Sequence, residues 1–350
     1  SVFQTHSLGH FSQEPFRSCV HPFAHTMIGG ASTIGIACVS ACVGGLLYSE
    51  KVQSLLVFMQ WLNWPPFDWE RPEAPSKPWV QAAGRAFGFW SWSATAFPGL
   101  PDVKPFALQG ALGTIRGWRV PRQGQGRRTV LYLHGNAGNM AVQHRVRLYR
   151  LLAAPPLACD VVAFDYGGLG RSDGRWPTEA SAVADALAAW RALPEASGEV
   201  VVWGHSLGTG VAVGMLTELL RRGELDAGGP RGLVLEAPFT SVPDVPLLSL
   251  AWLPSSLFSA VQSLLHWSLR AHRFPTMERI ELVSRRIPNL AILHGTADTV
   301  VPFEHGKRLA SRGNVTLHSF DRGHDDIVLD ASLVDTLSSL FRSWDQRAEH

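Results

Sequence analysis

The sequence predicts an α/β protein in which helices cover both faces of a mainly parallel sheet. Runs rich in Val, Leu and Ile predict six buried strands: TVLYLHG at 129–135, DVVAFDY at 160–166, EVVVWGH at 199–205, GLVLEAPF at 232–239, NLAILHG at 289–295 and NVTLHSFD at 314–321. Helical patterns separate most of these runs, at 140–154, 178–193, 207–222, 303–312 and 331–345. Strands that alternate with helices in this way are joined by right-handed crossovers, which produces a parallel sheet.

The composition fits a globular enzyme and argues against two kinds of binding site. Apolar residues make up 46% of the 350 residues, which is ample for a buried core. The 31 basic and 29 acidic residues leave a net charge of +2, without the basic stripe that nucleic-acid binding requires. The four cysteines, at 19, 38, 42 and 159, contain no CxxC pair, which argues against structural zinc or a redox dithiol.

An uncharged stretch near the N-terminus predicts a transmembrane helix at 26–48, preceded by a tail at 1–25. As a helix, its 23 residues reach about 34 Å, enough to cross a hydrocarbon layer of about 30 Å. Small residues at i, i+4 spacing (Ala37, Ala41 and Gly45) favour self-association through a helix–helix contact. A signal peptide or a glycine-rich buried helix is the alternative, although the compact basic leader of a signal is missing.

Residues 49–105 predict an interfacial helix followed by a linker rich in Pro and Trp. The apolar stretch Val52–Trp64 is too short to span a bilayer, and a helix packed on the catalytic domain explains it equally well. The catalytic domain is expected at 106–350. Some fifty residues at about 240–288 interrupt its strand–helix alternation, and we interpret this insertion as a lid.

The motif G-x-S-x-G at Gly204–Gly208 predicts a nucleophile. Ser206 comes directly after an apolar strand and directly before a helix, which is the sharp strand–turn–helix elbow that lifts a hydroxyl above a sheet edge. A second match at Gly170–Gly174 contains Ser172, but it follows a glycine-rich loop and has no helix directly behind it. Ser206 is therefore the predicted nucleophile, and Ser172 is assigned to a loop.

The order nucleophile, acid, base along the chain predicts Asp298 and His324 as the partners of Ser206. Asp298 follows the strand NLAIL, and His324 lies in a polar turn between the last strand and the last helix. The rival acid is Glu236, after the preceding strand. These positions predict an α/β-hydrolase fold with a Ser-His-Asp triad, which needs neither a metal nor an organic cofactor.

The segment HGNAGN at 134–139 predicts an oxyanion loop. It follows the strand VLYL, and its glycines allow backbone to approach a reacting carbonyl. The N–H of Leu207, together with the N–H of Asn136 or Ala137, would hold the oxyanion. A phosphate cradle is excluded because no Gly-Lys-Ser/Thr follows.

Apolar side chains in the insertion predict a lipid substrate. They include Trp252, Leu257, Phe258, Val261 and Leu265. So many apolar groups outside the sheet indicate an acyl pocket or a contact with the bilayer, although a compact core turn could also use them.

Several segments together resemble a known family. HGNAGNMAVQHRVRLYRLL, VVAFDYGGLGRSDG, WGHSLGTGVA, LEAPF and LHGTADTVVPFEHGKRL are similar to the α/β-hydrolase domain-containing protein 12 group of lysophosphatidylserine and monoacylglycerol lipases. The resemblance covers about 106–345 and implies Ser206, Asp298 and His324 as the triad. It also implies anchorage in the endoplasmic-reticulum membrane with a lumen-facing domain. The sequon at Asn314 would fit that topology, but a chance match explains it as well.

The expected activity is hydrolysis of lipid acyl esters, specifically monoacylglycerol or lysophospholipid. A protein depalmitoylase or other acyl thioesterase would use the same triad. A membrane scaffold that keeps the hydrolase fold without turnover is the alternative from another class, and the three intact triad residues argue against it. Epoxide hydrolases and dehalogenases are excluded because they need a carboxylate in place of Ser206.

Overall fold

A computed structural model describes residues 49–60, 63, 66–73, 100, 102–194, 199–225, 228–249 and 254–347. The predicted tail and transmembrane segment lie outside these residues, as does most of the predicted linker. Among the helices that are described, none combines the length and the apolar character needed to cross a membrane.

The described strands form one sheet in the order β1-β2-β4-β3-β5-β6-β7-β8. Their bounds are β1 Lys104–Gly110, β2 Gly113–Val120, β3 Arg128–Leu133, β4 Asp160–Asp165, β5 Glu199–His205, β6 Gly232–Glu236, β7 Leu290–Gly295 and β8 Thr316–Phe320. The pairs from β4 to β8 are parallel, whereas β1 pairs with β2, and β2 with β4, in the antiparallel sense. The α/β-hydrolase fold is confirmed, and all six predicted strands are present.

Nine α-helices surround the sheet in the described part of the chain. They are α1 Glu50–Phe58, α2 Gln143–Ala153, α3 Glu179–Arg191, α4 Leu207–Arg221, α5 Val245–Ser249, α6 Ser255–Ser268, α7 Thr276–Arg286, α8 Glu304–Gly313 and α9 Leu333–Gln346. Two apolar clusters of buried side chains separate the sheet from its helices, one containing Val211 and Leu235 and the other Val130 and Trp344. The five helices predicted from the sequence are α2, α3, α4, α8 and α9.

The predicted insertion at 240–288 divides into two parts. Helices α5 and α6 come first, and Leu257, Leu264 and Trp267 of α6 are exposed. The second part, α7, buries Ile280 and Val283 and packs against α4 and α8. Helix α7 thus belongs to the body of the domain, so only the first part can act as a lid.

Helix α1 packs on the hydrolase domain. The Phe58 ring is buried and makes edge-on contacts with the rings of His272 at 5.9 Å and Phe274 at 6.1 Å between centroids. The Ser54 hydroxyl donates to the carbonyl of Pro177 at 2.7 Å. This is the arrangement of a packed helix, and contact of α1 with a membrane surface stays a prediction.

Candidate active site

The nucleophile elbow lies between β5, which ends at His205, and α4, which begins at Leu207. Ser206 has a φ of 50° and a ψ of −117°, a backbone conformation that a non-glycine residue adopts only at a cost of about 1–3 kcal/mol. The N–H of Ser206 donates to the carbonyl of Glu236 at 2.9 Å, and its own carbonyl accepts from the hydroxyl of Thr209 at 2.6 Å. A Cβ at Gly208 would collide with the carbonyl oxygen of Leu133, so the glycine is required there.

The three predicted side chains converge at the carboxyl edge of the sheet. Nε2 of His324 lies 2.9 Å from Oγ of Ser206, and Nδ1 of His324 lies 2.7 Å from Oδ2 of Asp298. Asp298 and Ser206 are buried. This is the geometry in which an imidazole takes the proton of a serine hydroxyl while a carboxylate holds the opposite ring nitrogen.

Hydrogen bonds keep Asp298 ionised in a buried position. Burial alone would raise the pKa of its carboxyl group. The pKa nevertheless lies below its usual range because the carboxyl forms hydrogen bonds with His294, His324 and the backbone N–H of Val301. The second oxygen, Oδ1, accepts from the N–H groups of Val300 and Val301, both at 2.8 Å. A carboxylate fixed in this way presents one oxygen to His324.

The charge of Asp298 in turn favours the protonated form of His324. Burial lowers the pKa of this imidazole, and the hydrogen bond and charge of Asp298, with smaller contributions from Asp325 and Glu236, raise it above its usual value. An imidazolium at this position would therefore be stabilised.

The structure distinguishes the two alternatives that the sequence offers for the oxyanion donor in the loop after β3. The N–H of Ala137 donates to the carbonyl of Phe58 in α1 at 3.2 Å, so it is not directed at a substrate. Asn136 lines the same cavity as Ser206 and Leu207. Of the two residues predicted for this loop, Asn136 is thus the one whose backbone N–H can serve, together with the N–H of Leu207 at the start of α4, as an oxyanion donor.

The guanidinium of Arg145 in α2 holds this loop from behind. It is buried and donates to four carbonyl groups: Gly135 at 3.3 Å, Asn136 at 3.2 Å, Ala137 at 3.1 Å and Asn139 at 2.7 Å. Four acceptors on one planar cation fix the direction of the loop backbone. Arg145 is a positioning residue that sequence reasoning missed, although it stands in the segment HRVRLYRLL.

An apolar cavity of about 330 Å³ opens beside Ser206. The side chains that close it come from α1, α6 and the loop after β7, and include Val57, Leu264, Leu265 and Val301. Leu56 and Val300 at its edge are more than half exposed. A cavity of this volume with mainly apolar walls accepts a hydrocarbon chain.

Comparison with known proteins identifies relatives of this chain. A family model described as the alpha/beta hydrolase fold matches residues 128–218. The lysophosphatidylserine lipase ABHD12 of Danio rerio is 38% identical over 191 residues, which are 51% of this chain and 46% of that protein. The ABHD12 of Gallus gallus is 32% identical over 269 residues, 74% of this chain and 65% of that protein.

The chain belongs to the ABHD12 family. It spans about half to two thirds of the length of the curated relatives it matches. Among solved structures, the esterase Pf2001 of Pyrococcus furiosus matches with a TM-score of 0.53 at 20% identity, covering 80% of this chain and 99% of that one. An alpha-beta hydrolase of Vibrio vulnificus gives 0.52 at 19%, covering 78% and 89%. At these identities the structures show a shared fold.

In this ABHD12-family chain, the side chains of Glu236 and Ser172 form hydrogen bonds with groups outside the triad. Oε2 of Glu236 accepts from the indole N–H of Trp203 at 2.9 Å, and burial raises the pKa of this carboxyl to about 7. Ser172 donates to the carbonyl of Asp165 at 2.6 Å and accepts from the N–H of Arg116 at 2.9 Å. Neither group has a hydrogen bond to His324 among the described residues.

The five predicted lid residues do not all reach the cavity. Leu265 lines it, whereas Leu257 is 49% exposed and Phe258 and Val261 are partly buried on α6 without lining it. Trp252 lies outside the described residues. Because α6 turns every 3.6 residues, only the face that carries Leu264, Leu265 and Ser268 meets the cavity.

Replacing Arg145 by lysine is expected to lower kcat for ester hydrolysis about 10- to 100-fold, with a smaller change in KM. A lysine ammonium cannot reach four carbonyls at once, and a hydrogen bond to a charged group contributes about 1.5–3 kcal/mol. Initial rates measured at several substrate concentrations separate kcat from KM. The matched control is Arg147→Lys at an exposed position of α2. Equal kcat values for the two variants, both folded by circular dichroism, would contradict this role.

Proposed function

We propose that the protein is a serine hydrolase that cleaves fatty-acyl esters of single-chain lipids. The observation that carries this proposal is the hydrogen bond from Ser206 to His324 beside an apolar cavity. An apolar acyl chain gains about 0.8 kcal/mol for each methylene that it buries, so such a cavity favours long chains over short ones. The curated relatives named as lysophosphatidylserine lipases support the same substrate class.

In the proposed reaction, His324 accepts the proton of Ser206 as Oγ attacks the ester carbonyl. The N–H groups of Leu207 and Asn136 stabilise the oxyanion, and Asp298 holds the imidazole in the correct tautomer. The protonated His324 then gives its proton to the leaving glycerol or glycerophospho group. Water, activated by the same imidazole, releases the fatty acid and regenerates Ser206.

The apolar surface around the cavity supports a lipid rather than a soluble substrate. Leu56 of α1 and Leu264 of α6 line the cavity and are exposed. Trp267 of α6 is also exposed, and the Arg270 guanidinium lies over its ring at 5.5 Å. Tryptophan and arginine side by side are typical of surfaces that meet lipid head groups. The anchor at 26–48 and the endoplasmic-reticulum location stay predictions, which the uncharged sequence of that stretch and the family support.

A panel of acyl substrates tests the proposal with the full chain. We expect kcat/KM for long-chain monoacylglycerol or lysophosphatidylserine to exceed that for butyryl esters of the same head group by at least about tenfold, which is the effect of burying two methylenes. A palmitoyl thioester in the same panel tests the alternative function, because an acyl thioesterase would cleave it in preference to the oxygen esters. Efficient cleavage of short soluble esters without cleavage of either lipid would overturn the lipid assignment.

Leu265→Trp sharpens this test because it fills the cavity from α6. We expect kcat/KM for an 18-carbon acyl chain to fall about tenfold, while that for a butyryl ester stays within about twofold, since the short chain does not need the lost space. Leu257→Trp on the exposed face of the same helix is the matched control. Equal losses for both chain lengths would mean that Leu265 does not contact the acyl chain.

A further inference from the structure

Three side chains of the types that bind metal ions lie together beside His324. His144 comes from the first turn of α2, His205 from the end of β5, and Asp325 from the loop directly after His324. One ligand atom of each lies within 4.8 Å of the others. None of these three side chains transfers a proton in the reaction proposed above, although the charge of Asp325 contributes to the raised pKa of His324.

The separations within this cluster are too long for hydrogen bonds. Nε2 of His144 lies 3.6 Å and Nε2 of His205 lies 3.7 Å from the same oxygen, Oδ1 of Asp325. Nε2 of His144, the atom that would bind an ion here, is buried and has no hydrogen-bond partner among the described residues. Buried polar atoms without partners are uncommon, and such an atom indicates that a ligand or ion can bind there.

These separations are close to those between ligands of one tetrahedral ion. Zinc–nitrogen and zinc–oxygen bonds of about 2.0–2.1 Å place two tetrahedral ligands about 3.4 Å apart, whereas an octahedral ion would bring them to about 3.0 Å. The two separations from Asp325, 3.6 and 3.7 Å, need only small side-chain movements to meet the tetrahedral value. The ligand atoms of His144 and His205 lie within 4.8 Å of each other and approach further when they bind one ion. Two imidazole nitrogens and one carboxylate oxygen are ligands that zinc prefers, and a water molecule completes the set.

We propose that His144, His205 and Asp325 bind a zinc ion, and that this ion reversibly inhibits the hydrolase. The sequence predicts no metal for the reaction, and the proposed ion takes no part in catalysis.

Inhibition follows from the hydrogen bond that zinc must break. At present Nε2–H of His205 donates to the backbone carbonyl of His324 at 3.2 Å, and the rings of His205 and His324 are 5.2 Å apart. To bind zinc through Nε2, the imidazole of His205 moves its proton to Nδ1 and releases that carbonyl. Because His205 precedes Ser206 and Asp325 follows His324, the ion also pulls on the backbone on both sides of the reacting pair.

Zinc binding is measured first in a catalytically inactive variant. Isothermal titration of zinc chloride uses the full chain with Ser206→Ala, in which the tail histidines His6, His10, His21 and His25 are replaced by glutamine so that they do not compete. We expect one site with a Kd in the micromolar range or tighter, and about tenfold or more weaker binding after His144→Gln. His318→Gln, at a partly buried histidine on β8, is the matched control and should bind as the parent does.

Binding weaker than about 1 mM, or a loss in His144→Gln smaller than about tenfold, would overturn the site. Because this arm uses an inactive variant, its result is independent of the proposed ester hydrolysis. A folded state of each variant is verified by its thermal unfolding without zinc.

Inhibition is measured second, with Ser206 restored. We expect saturating zinc to slow ester hydrolysis or fluorophosphonate labelling at least fivefold, EDTA to reverse the effect, and His144→Gln to raise the half-inhibiting concentration by the factor found in the titration. His144→Gln should keep the basal rate. Zinc that binds at the site without slowing either reaction would overturn the inhibitory role.

Discussion

Replacing Ser206 by alanine is expected to abolish fluorophosphonate labelling and to lower kcat for ester hydrolysis by at least about 10⁴-fold. The variant loses the hydroxyl oxygen that lies 2.9 Å from Nε2 of His324, so the covalent acyl intermediate cannot form. What remains is the contribution of the oxyanion donors and substrate binding. The measurement is gel-based labelling combined with product release from a long-chain monoacylglycerol.

The second G-x-S-x-G match provides the control for this variant. Ser172→Ala removes a hydroxyl that bridges Asp165 and Arg116, so it should lower the unfolding temperature by a few degrees and leave labelling intact. Labelling that persists in Ser206→Ala and disappears in a folded Ser172→Ala would move the nucleophile to the glycine-rich loop.

Replacing Asp298 by asparagine is expected to lower kcat about 10⁴-fold with little change in KM. Nδ1 of His324 would then face an amide that offers no negative charge and can hold the ring in the wrong tautomer. The two backbone N–H groups that now donate to Oδ1 can still bond to the amide oxygen, so the loop should keep its shape. Rates at saturating substrate measure the effect.

Glu236→Gln is the matched acid-to-amide control. The glutamine oxygen can still accept from the indole of Trp203, and the carboxyl it replaces already has a pKa raised to about 7 by burial. We expect a change in kcat of less than about tenfold. A large loss in Glu236→Gln with a small one in Asp298→Asn would make Glu236 the triad acid, the alternative that the sequence left open.

The buried strands could be predicted from the sequence because each one is a short continuous run of apolar residues. Strands β3 to β7 are nearly continuous apolar runs, as strands covered on both faces must be. The edge hairpin was missed for the opposite reason: β1 is largely exposed and β2 mixes polar with apolar residues, so neither has such a run. Helix α7 was missed because most of its residues are charged or polar and only a narrow apolar face is buried.

The sequence by itself determined the fold class and the three side chains that meet, since a parallel sheet brings the ends of distant strands to one edge. Only the tertiary structure favoured Asn136 over Ala137 as the oxyanion donor, because the N–H of Ala137 donates to the carbonyl of Phe58. It also decided that Arg145 holds the oxyanion loop and that His144, His205 and Asp325 lie together. These contacts join residues that no local pattern links, and packing between separate elements sets their distances.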